Sequence, residues 1–316
     1  MAGRDLQVGI VGLGKMGGNL ALQAVDRGID VVGTARHKKP DLEEQGVAFA
    51  ENYRDFAAYL KPSRVIYLSV PAGHPVDDVL AQMVPYLDVG DVVMDGGNSF
   101  YRDSMARERV LAKKGIHFLD CGTSGGIAGA RHGACFMVGG PEEGYRIARP
   151  VLEKLAVPEG LVYTGKPGSG HFVKLVHNGI EFGMLQAIGE GVSLLRGCGD
   201  FDLDLAGIFH NWAHGSVIRS WLVELMEQGL SERSLEAIES YVEDTGEVNW
   251  LVETAIMWEI PIPATMIAIM QLFESREKDS DTHRSIALMR HGFGGHPFGK
   301  DEHIAEERRV SRITKI

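Results

Sequence analysis

The chain has 316 residues, 44% of them hydrophobic and 24% charged, with a net charge of −11. This length suits two domains with their own cores. The acidic balance argues against a general nucleic-acid or membrane-surface binder, and no run approaches the ~20 apolar residues of a membrane span.

The start, MAGRDLQVGIVGLG, carries charge and then a glycine-broken strand, so it does not read as a signal peptide and the cytoplasm is expected. Cys121, Cys135 and Cys198 lack CxxC or metal-ligand spacing and read as reduced thiols. Candidate strands follow in order at Gln7–Val11, Asp30–Thr34, Val65–Ser69, Asp91–Asp95, His117–Asp120 and Cys135–Val138. Helical patterns separate them, as in Met16–Arg27, Asp77–Tyr86 and Ser104–Lys114. Such alternation predicts βαβ units and a mostly parallel sheet. After GKPGSG (165–170) the period becomes helical, in Phe172–Leu195, Leu203–His214, Val217–Glu227 and Pro263–Glu274. The expected fold is therefore α/β: a Rossmann-type doubly wound domain over 1–165, then an all-helical domain over 166–316.

VGIVGLGKMG sets Gly12, Gly14 and Gly17 between a strand and a helix, with Leu13, Lys15 and Met16 in the turn. The first glycine makes the turn, the second admits a pyrophosphate to the backbone, and the third lets helix and strand pack. A dinucleotide site is expected; the bland alternative is a glycine-rich turn without a ligand. An acid about 20 residues on would hold the ribose hydroxyls of NAD. Here VVGTARHKK offers Ala35 and then Arg36, which would attract a 2′-phosphate and favours NADP over NAD. A solvated basic loop on an NAD enzyme is the alternative.

SVPAG (69–73) and DGGNS (95–99) each follow a strand, where the carboxyl ends of a parallel sheet line the ligand crevice. Val70, Pro71 and Ala72 are candidates for the cofactor, and Asn98 for nicotinamide or substrate. Ser124, Gly125 and Gly126 form a turn suited to an anion, or an ordinary turn.

HFVKLVHNGIEFG (171–183) carries two stripes. Val173, Val176, Ile180 and Met184 keep the beat of a buried face, while Lys174, His177, Asn178 and Glu181 share a polar one. Taken singly, each polar residue has a structural explanation: a snorkelling lysine, a core histidine, a surface ion pair.

DGGNS, DCGTSGG (120–126), GSGHFVKLVHNGIE (168–181) and RHGFGGH (290–296) occur in an order that resembles decarboxylating 6-phosphogluconate dehydrogenases, in length the short bacterial class. The resemblance runs nearly end to end. It implies that Lys174 takes the proton of the C3 hydroxyl as hydride leaves for the nicotinamide, and later polarises the keto group. It implies that Glu181 protonates C1 of the enediol after CO2 departs, giving ribulose 5-phosphate, with no metal needed. Asn98, Ser124, Gly125, Gly126, His177 and Asn178 match residues that hold the sugar acid. Arg290 and His296 match a pair that reaches the neighbouring subunit's site, which implies a homodimer.

Two of three positions that read the distal phosphate in the family depart from its pattern. Phe182 stands where many members have tyrosine, TGEVNW places Asn249 where SGEGRW has arginine, and the basic residue near LFESRE falls on Arg276. These leave the C1–C3 chemistry intact and open the C6 substituent, so a 6-deoxy-6-sulfogluconate is an alternative to the phosphate. Competing expectations are a non-decarboxylating β-hydroxyacid dehydrogenase acting on an acid such as 3-hydroxyisobutyrate, an imine reductase, and a cofactor-bound protein without turnover.

Overall fold

The computed structural model describes residues 6–314. Two compact units divide the chain: one runs to Leu175 and takes in the segment from Arg309 onward, the other is Val176–Arg308.

The first unit is an eight-stranded sheet: β1 (Gln7–Val11), β2 (Asp30–Thr34), β3 (Ala48–Phe49), β4 (Val65–Leu68), β5 (Val92–Asp95), β6 (His117–Ser124), β7 (Ala134–Gly139) and β8 (Ala156–Gly165). Its spatial order is β3-β2-β1-β4-β5-β6-β7-β8, all parallel except the β6–β7 pair. Helices α1 (Lys15–Asp26), α2 (Pro40–Glu43), α3 (Tyr53–Tyr59), α4 (His74–Met83), α5 (Tyr101–Ala112), α6 (Gly126–His132) and α7 (Glu142–Leu155) connect the strands. Strands β4 and β5 are buried along their whole length, as strands covered on both faces must be. Two apolar clusters cover the sheet, one including Ile10, Leu20, Val31 and Phe136, the other Phe56, Ile66, Val93 and Phe118. Strand order reverses between β1 and β4, the position at which ligands bind in doubly wound sheets.

The second unit is helical. Helix α8 (Ser169–Gly197) runs into it from the first, followed by α9 (Leu205–Ala213), α10 (Trp221–Glu232), α11 (Glu247–Met257), α12 (Pro263–Glu274), α13 (Asp281–Gly294) and α14 (Glu302–Val310). Side chains of Asp204, Ser220 and Ser280 cap α9, α10 and α13 by accepting from backbone N–H groups of the first turns. The core gathers Phe182, Leu185, Phe209, Val223, Met226, Ile269 and Leu288. No helix among the described residues is long and apolar enough to cross a membrane.

The apolar stripe expected to bury α8 faces the other way. Val173, Ile180 and Met184 are 38%, 59% and 39% exposed, whereas Leu175, Asn178, Phe182, Leu185 and Gln186 are buried. Both stripes are apolar at helical spacing, so periodicity cannot choose between them. Gly179 does choose: a side chain there would stand 2.2 Å from a Leu251 methyl and 3.1 Å from that of Thr265, so α8 meets α11 and α12 on its glycine face.

Candidate active site

Strand β1 delivers the chain to Gly12, whose φ of +91° lies in the left-handed region that suits glycine. A Cβ there would stand 2.3 Å from the Ser69 carbonyl oxygen, and one on Gly17 would stand 1.9 Å from the carbonyl oxygen of Gly12. Gly14 differs: nothing lies within 4 Å of its absent side chain. It caps α1 with no side-chain acceptor, and the first turn of α1 holds no acid. The open face above Gly14, beside unopposed helix N–H groups, fits the pyrophosphate of a dinucleotide. Leu13 is buried and fills the space left by Gly33, so only its backbone can serve a ligand; Lys15 is exposed and Met16 half-buried.

At the end of β2, Ala35 is half-buried and Arg36 exposed. The Tyr53 phenol lies within electrostatic reach of Arg36; burial pushes its pKa up and the guanidinium opposes that. Lys38 is committed to Glu43 at 3.5 Å, whereas neither Arg36 nor Lys39 faces a carboxylate among the described ion pairs; of these two, Arg36 directly follows Ala35 at the end of β2. The loop after β4 exposes Pro71, half-buries Val70 and buries Ala72; the loop after β5 exposes Asn98. Beyond the expected end of β6 the strand continues to Ser124, and Gly125 and Gly126 follow with φ of +117° and +58°. The residues expected to bind dinucleotide, together with Asn98 and Ser124–Gly126, thus gather at the carboxyl ends of β1, β2, β4, β5 and β6.

A buried polar scaffold ties these loops together. The Tyr67 hydroxyl lies 2.7 Å from Thr123 Oγ1, a reach that needs Gly96, where a Cβ would sit 1.9 Å from the tyrosine ring. Burial pushes the Tyr67 hydroxyl and the Cys121 thiol well above their ordinary pKa values, so both are neutral in the folded protein. Arg107 donates to Asp77 at 2.8 Å, to the Gly73 carbonyl at 2.8 Å and to Asp95 at 3.4 Å. Asp120 accepts from the backbone of Gly168 and His171, and His171 lies between Ser104 and the Asp95 carbonyl. Sequence reasoning missed Tyr67, Arg107, Asp120 and His171. For Tyr67 and Asp120 the one signal is a polar group inside an otherwise apolar strand; Arg107 sits in the charged helix YRDSMARERVLA and His171 follows the glycine-rich GSG, and neither stands out there.

Lys174 belongs to this first unit and is half-buried. A Cβ on Gly122 would stand 2.6 Å from the Lys174 Cβ, so the lysine stem rests on β6 where that strand has no side chain. Farther along α8, in the second unit, His177 Nδ1 lies 3.7 Å from Glu181 Oε2 and Asn178 is buried. The buried Phe182 ring carries the Arg290 guanidinium 5.4 Å from its centroid. Arg290 also donates to the Glu243 carbonyl. Burial lowers its pKa while Glu247, Asp244, Glu181 and Glu243 pull the other way. Arg290 is buried, 6% exposed. His296 is half-buried, its ring edge-on to Phe293. Arg276 is engaged by Asp244 at 2.7 Å, and Asn249 is half-buried on α11.

Residues 7–165 match the family described as NAD binding domain of 6-phosphogluconate dehydrogenase, and residues 170–301 match the 6-phosphogluconate dehydrogenase C-terminal domain. YqeC of Bacillus subtilis (strain 168), which bears a provisional 6-phosphogluconate dehydrogenase name, is 42% identical over 294 residues, covering 92% of this chain and 98% of that one. A decarboxylating enzyme of Haloferax volcanii named as NAD(+)-dependent 6-phosphogluconate dehydrogenase is 38% identical over 302 residues, covering 94% and 100%. The Plasmodium falciparum 6-phosphogluconate dehydrogenase structure superposes with a TM-score of 0.77 at 28% identity, covering 87% of this chain and 65% of that longer one.

Proposed function

The chain belongs to the 6-phosphogluconate dehydrogenase family of NAD(P)-dependent oxidoreductases, and from that premise we propose that it converts 6-phosphogluconate to ribulose 5-phosphate and CO2. The observation that carries this is the polar stripe of α8: Lys174 against β6, with His177, Asn178 and Glu181 following on the same helix. Lys174 and Glu181 are seven positions apart, roughly 10 Å along the axis at about 1.5 Å per residue. Long side chains converge from that distance on a six-carbon acid.

When bound, the nicotinamide supplies the hydride acceptor; Gly12, Gly14, Gly17 and the Val70–Ala72 loop would hold the dinucleotide. Lys174 accepts the proton of the C3 hydroxyl as C3 becomes a ketone. A lysine does this only when neutral, against a reference pKa of about 10.4, and desolvation favours the neutral form. The β-keto acid releases its carboxylate as CO2 while the Lys174 ammonium hydrogen-bonds the keto oxygen and stabilises the charge that develops there. Glu181 then gives its proton to C1 of the enediolate, whose oxygen beside Lys174 becomes the carbonyl of the product. Asn98, Ser124–Gly126, His177 and Asn178 hold the hydroxyls and carboxylate.

A second reading keeps this chemistry on another C6-substituted gluconate, such as 6-deoxy-6-sulfogluconate. The observations favouring it are Phe182 capped by Arg290, Asn249 at the arginine position, and Arg276 committed to Asp244. We also infer a cytoplasmic homodimer built on the helical unit Val176–Arg308. Its support is the exposed apolar side chains that α8, α11 and α12 carry, among them Ile180, Met184, Ile256, Ile267 and Met270, which a second copy would cover.

The test is a panel of 6-phosphogluconate, 6-sulfogluconate and gluconate, scored for reduced dinucleotide and CO2 together. Equal release of both from a C6-substituted gluconate is expected; reduction without CO2 from every member would overturn the decarboxylating reading. Run with both dinucleotides, the panel should give a higher kcat/KM for NADP, and Arg36→Ala should erase most of that preference. A clear NAD preference in the unaltered protein would refute the role of Arg36.

A further inference from the structure

Helix α8 starts with no acid in its first turn, yet a carboxylate sits at that end. Asp120, on β6, is 1% exposed and accepts from Gly168 N at 2.7 Å through one oxygen and from His171 N at 2.9 Å through the other. With an N–H on each oxygen, the ionised form is the one that fits. Burial pushes the Asp120 carboxyl upward, while His171 and these backbone N–H groups oppose it. A charge in such a place is costly unless its hydrogen bonds are complete.

The His171 ring is equally committed. It is 2% exposed, with Nδ1 2.7 Å from Ser104 Oγ on α5 and Nε2 3.0 Å from the carbonyl oxygen of Asp95. Since a carbonyl only accepts, Nε2 carries the proton there. Asp95 ends β5 and immediately precedes Gly96, Gly97 and Asn98. Packing allows no slack: a Cβ on Gly170 would stand 2.3 Å from the Asp120 carbonyl oxygen, and one on Gly139 would stand 2.6 Å from Gly170 N. Lys174 lies three residues after His171, on the next turn of the same face.

We propose that Asp120 and His171 are positioning residues for Lys174: together they fix the height and rotation of the first turn of α8 against β5 and β6, and so aim the lysine at a substrate held by the Asn98 loop. Asp120 sets the height through the helix backbone, and His171 sets the rotation through its ring. This rests on the reaction proposed above, so the test has an arm that needs no turnover.

In that arm, trace acylation of Lys174 by acetic anhydride is measured against the exposed Lys61 as a function of pH. Asp120→Asn and His171→Leu should each change the Lys174:Lys61 ratio at least about threefold, while His171→Gln, which keeps a donor for the Asp95 carbonyl, restores most of it. In the kinetic arm, Asp120→Asn should lower kcat about 10–100-fold, the scale expected for a reacting group misplaced by an ångström, with the KM for dinucleotide within twofold. Ser104→Ala, which removes one partner of the ring, keeps the test open if a larger change prevents folding, and should shift the ratio in the same direction. Labelling ratios and kcat all within twofold of the unaltered protein would overturn the proposal. A shifted ratio in a protein that turns over no C6-substituted gluconate would support the positioning role and sink the reaction reading alone.

Discussion

Lys174→Ala should lower kcat by at least about 10³-fold, towards the upper end of what a positioned acid–base group contributes, while the protein folds and binds dinucleotide. The loss should be large because the proposed steps use this side chain twice. It accepts a proton from the C3 hydroxyl, and as an ammonium it then stabilises the charge that forms when CO2 leaves. Folding should survive, since alanine is the better helix former and the lysine stem rests on a glycine of β6 rather than filling a cavity. Dinucleotide affinity should survive because Gly12, Gly14 and Gly17 belong to a different turn. Lys174→Arg should be nearly as inactive as the alanine variant, because a guanidinium stays protonated and cannot act as the base. The measurement is kcat beside circular dichroism and a dinucleotide titration. Turnover within tenfold of the unaltered protein, with intact structure, would remove Lys174 from the base role.

Why some of this was legible in the sequence, and some not, follows from where each signal lies. Strand β1 and helix α12 have the predicted bounds because their ends are marked locally, by Gly12 in one case and by Pro263 in the other. Strand β8 escaped prediction: it is an edge strand paired only with β7, much of it exposed, and it carries Pro158 and a Glu159 at positive φ. Helix α7 was hidden in the same way by Pro150 inside it. The polar stripe of α8 was readable, since four such groups at helical spacing are unusual, but its apolar partner stripe was not. Leu175, Phe182 and Leu185 compete with Val173, Ile180 and Met184 on equal terms, and only the contacts at Gly179 decide. Asp120 and His171 were unreadable as a pair because 51 residues separate them and the sheet brings them together.

The glycines of the dinucleotide turn allow a sharper separation of packing from ligand binding. Gly17→Ala should both destabilise the protein and raise the Kd for dinucleotide at least about 100-fold, equivalent to roughly 2.7 kcal/mol. Its Cβ would stand 1.9 Å from the Gly12 carbonyl oxygen and 2.9 Å from the Ser69 Cβ, and a backbone oxygen cannot rotate away as a side chain does. The gain of about 1 kcal/mol in helix propensity is outweighed by an overpacking cost of about 1–3 kcal/mol or more. Relief then comes from moving the start of α1 away from β1, which displaces the N–H groups offered to the pyrophosphate. Gly14→Ala is the complementary case. Nothing lies within 4 Å of the added methyl, and the residue has negative φ, so Tm should hold within about 2 °C. The methyl nevertheless enters the open space above α1, so binding should weaken at least about tenfold, near 1.4 kcal/mol. Thermal unfolding and dinucleotide titration of the two variants separate these effects. If Gly14→Ala binds dinucleotide as tightly as the unaltered protein, the space above that residue is not where the phosphates lie.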